Sequence, residues 1–144
     1  MAKYFTLKEL CASATAATQG IDNWPSFEVA AHLAELAEKI LDPLRTAWGS
    51  AINVTSGYRC TRLNAAVGGV MTSVHKLGWA ADLQPANGKT EDFIKFARTW
   101  VIAYRIRFDQ FIRETDEHGH VWLHIGLYSS SGAQRGQILN LVKK

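Results

Sequence analysis

The sequence predicts an α+β fold, on three observations. Apolar residues recur at helical spacing over 27–48 and again after Thr90, while the stretches 51–56, 80–83, 106–114 and 120–128 read as short strands. The last two flank a polar loop, Thr115 to Gly119, and form a hairpin. Two long helices among short strands, two of them joined as a hairpin, belong to that class. At 144 residues, 47% of them hydrophobic, the chain has material for one core and so for one domain spanning 1–144.

Taken in order, Thr6-Leu-Lys-Glu9 has capping-box spacing and predicts a short helix. Cys11 to Pro25 is small and polar, with Gly20, Asp22, Asn23 and Pro25 as turn formers, and reads as an ordered loop. Ser26 opens the main helix. In it Val29, Leu33, Leu36, Ala37, Ile40 and Leu44 share one face, Pro43 bends or restarts it, and Gly49 ends it. After the strand at 51–56, a helical turn runs to the pair Gly68-Gly69. Thr90-Glu-Asp92 starts a second long helix that turns Phe93, Ile94, Ala97 and Val101 inward. In the last strand Val121, Leu123, Ile125 and Leu127 alternate with His120, Trp122, His124, Gly126 and Tyr128, so the second set occupies the face available for chemistry.

Composition narrows the function classes. No stretch reaches the length of unbroken apolar sequence that a membrane span needs. The net charge of +3 is too small to select a nucleic acid or a lipid surface, and no recognition motif stands behind it. Arg135, Lys143 and Lys144 read as a solvated basic tail. The first residues carry no secretory signal, so accumulation in the cytoplasm is expected, with Cys11 and Cys60 as reduced thiols.

Three features stand out chemically: the stretch Ser73-Val-His75-Lys-Leu-Gly78-Trp-Ala-Ala-Asp82, the strand residue His124, and Glu114 at the end of the preceding strand. Two imidazoles and a carboxylate are a donor set for catalytic zinc, which takes three protein ligands and keeps one position open. His-x6-Asp alone is a weak pattern, and a lone histidine near a turn is more often structural. One rival pairing fails on geometry. His120 and His124 would share a helix face, but along a strand they stand roughly 13 Å apart.

The motifs Ser56-Gly-Tyr-Arg59, Leu63-Asn-Ala-Ala-Val-Gly-Gly69 and Ser73-x-His75-x-x-Gly78-x-Ala80-x-Asp82, in that order, resemble the M15 peptidase family. Phe5-Thr-Leu-Lys-Glu-Leu10 and Ile21-Asp-Asn-Trp-Pro25 resemble one of its branches, so the likeness covers almost the whole chain. That family comprises zinc D-alanyl-D-alanine carboxypeptidases and murein endopeptidases, with a fold similar to the hedgehog signalling domain, so the resemblance implies helices packed on one side of a small antiparallel sheet and a zinc cleft on the other. The resemblance implies that His75, Asp82 and His124 hold one zinc ion. It also implies that Arg59 and Ser73 grip the substrate and that Arg59 steadies the oxygen that becomes negative during attack. Trp122-Leu-His124-Ile-Gly126 matches the branch's metal-bearing strand and sets Trp122 beside the substrate. The competing readings are a surface ion pair for Arg59 and a turn-capping hydroxyl for Ser73.

Many members carry an acid or histidine two or three residues before the last ligand, where this chain has Val121 and Trp122. The general base is therefore expected at Glu114, as in the branch and in the hedgehog fold, with Asp116, Glu117, His118 and His120 as rivals. The function expected is a zinc-dependent peptidoglycan peptidase of endolysin type, a phage or prophage lysis protein that reaches the wall only on release. It would act as a monomer on peptidoglycan peptides, without nucleic acid or membrane insertion. A D-alanyl-D-alanine carboxypeptidase and a non-catalytic, zinc-stabilised wall-binding module are the alternatives.

Overall fold

The computed structural model describes residues 3–143, and local caps make its N-terminal helices. Thr6 accepts the Glu9 amide and starts α1 (Leu7–Cys11). The stretch expected to be a loop instead holds α2 (Ala14–Gln19), begun by the Ser13 hydroxyl and ended by Gly20 in the left-handed region. No apolar stripe announces α2, because tertiary contact holds it: Ala16 and Ile21 pack on Leu63 in a small cluster of their own. Ser26 opens α3 (Phe27–Leu36). A π-helical turn, Ala37–Leu41, leads from it into α4 (Asp42–Trp48). Pro43 lies in the first turn of α4, where a missing amide costs least, so it restarts the helix. The buried Asp42 carboxylate accepts the amides of Lys3 and Tyr4 at 2.6 and 3.0 Å and ties the N-terminal segment down.

The remaining elements are β1 (Ile52–Ser56), α5 (Thr61–Ala66), β2 (Ala80–Pro85), α6 (Thr90–Ala103), β3 (Gln110–Thr115), β4 (Val121–Gly126) and β5 (Gln137–Val142). They build one sheet in the order β1-β2-β4-β3-β5. The predicted α+β class holds, with α3, α4 and α6 packed on one face. There Leu33, Leu36, Ile40, Leu44, Phe93 and Val101 meet Ala81, Leu83, Phe111, Leu123 and Ile125. The pairings β1/β2, β2/β4 and β3/β4 are antiparallel as expected. β5, however, runs parallel to β3, so the sheet is mixed. This strand corrects the reading of residues 135–143 as a solvated tail, and Lys144 lies outside the described residues. Arg135 anchors its start, donating from Nε and Nη2 to the buried Asp109 carboxylate at 2.7 and 2.8 Å. Among the described residues no helix is long and apolar enough to cross a membrane.

Gly57 explains part of the Ser56-to-Arg59 motif. The Tyr58 amide donates to the Leu10 carbonyl oxygen at 2.8 Å, so α1 lies hard against the end of β1. A Cβ on Gly57 would overlap that same carbonyl oxygen. Gly57→Ala is expected to destabilise the fold by about 1–3 kcal/mol through overpacking. A urea midpoint unchanged by the substitution would mean that α1 moves aside freely.

Candidate metal centre

The strand register places Asp82 of β2 opposite His124 of β4, and both point away from the helices. Neighbouring strands thus present a carboxylate and an imidazole side by side. His75 comes from a 3₁₀ turn, Val74–Leu77, which the Ser73 hydroxyl caps by accepting the His75 amide at 3.2 Å. Gly78 closes that turn at φ +78°, a conformation that side chains resist, and an added Cβ would also press on Val29 of α3. The spacing Ser73-x-His75-x-x-Gly78 therefore specifies a tight turn seated on a helix.

The three side chains converge. His75 Nε2 lies 3.3 Å and His124 Nδ1 3.0 Å from the same Asp82 oxygen, Oδ1. One ligand atom from each residue lies within 4.8 Å of the others, and all three residues are buried. His75 Nδ1 donates to the Gly57 carbonyl oxygen at 2.7 Å, which fixes the ring and leaves Nε2 as the free acceptor. Burial holds His75 below the ordinary histidine pKa against the opposing pull of Asp82, so the imidazole is neutral, as ligation requires. For Asp82 burial works upward, but electrostatic attraction and hydrogen bonding from the His75 and His124 rings outweigh it and hold the carboxyl below its usual range. Two imidazoles and one carboxylate fit zinc in type and number.

The centre opens into a cleft of about 460 Å³. Arg59 is 7% exposed, so the surface ion pair that competed for it is ruled out. Among the described residues its guanidinium donates only to Ser73 Oγ, at 3.3 Å, while Nε is buried without a partner. The Arg59 amide donates to the His75 carbonyl oxygen, so the arginine and the metal turn are fixed as one unit. Ser73 caps the turn and also lines the cleft, which joins its two expected roles.

Glu114 is 5% exposed, with Oε1 3.8 Å from His124 Nδ1. Trp122, its partner across the hairpin, donates from Nε1 to the same oxygen at 3.0 Å and so holds the carboxylate in place. The rivals lie elsewhere. Asp116 accepts the amides of His118 and His120 and the His120 ring, Glu117 pairs with His118, and none of these four lines the cleft.

Two residues escaped the sequence reading. Asn23 is buried and bonds the carbonyl oxygens of Cys11 and Tyr58 and the Cys60 amide, clamping the segment that carries Arg59. Its place between Asp22 and Trp24 was the available signal, but it read as a turn former. Lys143 lines the cleft, with Nζ 3.9 Å from Glu114 Oε2. Only its charge was visible in the sequence.

The family model described as Peptidase M15 matches residues 3–121, more than half of the chain. The match takes in His75 and Asp82 and stops short of His124, which the strand register supplies. No curated protein matches the chain.

Proposed function

Since the chain belongs to the Peptidase M15 family of zinc metallopeptidases, we propose that it is a peptidoglycan peptidase of endolysin type, cutting a peptide bond within murein peptides. His75, Asp82 and His124 hold a single zinc ion in this reading. The observation that carries it is the convergence of those three buried donors beside a cleft that His75 and His124 line together with the buried Arg59 guanidinium and the Glu114 carboxylate.

A zinc ion in such a site supplies Lewis acidity toward water and toward the scissile carbonyl. The protein's own groups do the rest. Glu114 takes a proton from the attacking water and returns it to the leaving amine, and the Trp122 indole keeps the accepting oxygen aimed. Arg59 meets the oxygen on which charge develops, and burial makes that interaction strong. Ser73 orients Arg59 and offers its hydroxyl to the substrate. Without a substrate to meet it, the Arg59 guanidinium is costly to bury, and this points to an anionic partner.

Zymography on peptidoglycan tests the reading. Clearing is expected, with loss on chelation and recovery on adding zinc, and mass spectrometry of the products should show split stem peptides or cross-links. Walls that are bound but never cleared would leave a binding module. Release of D-alanine alone would leave a carboxypeptidase.

A further inference from the structure

The metal centre does not stand at the end of a blind pocket. Beside the cleft lies a second hollow of about 350 Å³, between the start of α2 and the β1–β2–β4 face. Ser13, Thr15, Tyr58 and Trp122 line it. The two hollows divide the centre between them, since His75, His124 and Glu114 face the first and Asp82 faces the second. Arg59 and Lys143 stand in both walls. A chain lying across the metal therefore has room on either side, with the two cations at the crossing.

Their charge is met only in part. Asp82 and Glu114 attract Arg59 without offsetting its burial, its Nε has no partner among the described residues, and Lys143 is half-exposed, paired with Glu114 only at 3.9 Å. The other Glu114 oxygen is taken by Trp122. Arg135 lines the first hollow too, but its guanidinium is committed to Asp109. The Lys143 amide donates to the Thr115 carbonyl oxygen, so the backbone beyond β5 delivers this ammonium to the cleft. Lys143 also lies outside the residues that match the family.

We propose that the hollow beside α2 is a second substrate subsite, and that Lys143 and Arg59 together grip a free carboxylate carried by the substrate peptide next to the scissile bond. The proposal rests on the peptidase reading and adds to the grip that the family resemblance already implies for Arg59 a specificity-determining residue, Lys143, and a subsite on the far side of the metal. A point charge with three donors suits one oxygen of a carboxylate while the planar guanidinium takes the other.

The test uses two synthetic peptides of one backbone, one with a free carboxylate beside the cleaved bond and one with a carboxamide there. Binding is measured by calorimetry on the zinc-loaded Glu114→Gln protein, and cleavage on the otherwise unaltered enzyme. The acid peptide is expected to bind about tenfold tighter than the amide, and Lys143→Met should remove most of that difference while Lys143→Arg keeps it. In cleavage, Lys143→Met should raise KM for the acid peptide several-fold more than for the amide, with zinc content nearly unchanged. Ala14→Trp, at an exposed position on the rim of the hollow, should weaken binding of both peptides at least fivefold. Equal loss on both peptides in Lys143→Met would reduce Lys143 to a structural role, and unchanged binding in Ala14→Trp would remove the hollow from the site. If the enzyme cuts neither peptide but still prefers the acid, the peptidase reading fails and the carboxylate site stands. If it cuts both alike, this inference alone is lost.

Discussion

Glu114→Gln is expected to lower turnover by about 10²–10⁴-fold while zinc content stays at one ion per chain. The change keeps the shape and the Trp122 hydrogen bond but removes the basicity. Since Glu114 is buried beside His124 and is no member of the metal triad, the amide neither leaves a cavity nor costs a ligand. His120→Ala belongs beside it as a control. His120 sits on the exposed hairpin loop, held by Asp116, and its loss should leave the rate near normal. A Glu114→Gln enzyme with near-normal turnover and full zinc would take the base away from Glu114, and a fall in His120→Ala would hand the role to the loop.

His124→Ala should abolish zinc retention and activity together. It removes one of three donors and leaves the Asp82 carboxylate buried with His75 as its sole partner in the triad. Metal analysis after dialysis, with activity on the same sample, checks this. Retention of one zinc ion with unchanged affinity would transfer the centre to other residues. Metal uptake by the unaltered protein should weaken as pH falls, because ligation needs neutral imidazoles. Burial holds the folded His75 below the free histidine value, so protonation of this ring opposes the fold. The direction of the shift puts the loss on the acid side: stability declines as pH drops through the pKa of the unfolded histidine toward the lower folded one.

Much of this was legible in the chain itself. Thr6 and Ser26 cap helices where their spacing says they should, and the alternation from Val121 to Leu127 gives the buried and chemical faces of β4 correctly. These signals are local, written in adjacent residues. The candidate ligand set, which could hold a metal, was readable for a different reason. His75 needs a capped turn closed by a left-handed glycine, and Asp82 needs a strand, so Ser73, Gly78 and Asp82 record the local geometry. What was lost depends on distant contact. The six residues of α2, Ala14–Gln19, have no amphipathic stripe, and the helix forms because Ala16 finds Leu63. In β5 the uncharged run Gln137-Ile-Leu-Asn-Leu-Val142 has strand character, but its partner, β3, precedes it by a whole hairpin, and the flanking cations drew the reading toward solvent. Lys143 and Trp122 show the same limit, since their roles lie in what they face.

The parallel pairing of β5 with β3 also bears on the order in which the molecule is assembled. β3 and β4 are joined by a short loop and meet at little entropic cost, whereas Gln110 and Gln137 are partners 27 positions apart and can meet only once the hairpin has turned the chain back. The metal triad closes a longer loop still, since Asp82 and His124 are partners 42 positions apart, so on the same count it forms no sooner than this strand docks. Lys143 follows that strand, so the charged rim of the cleft and the donors beneath it both depend on long-range closure of the sheet and neither on the local hairpin alone.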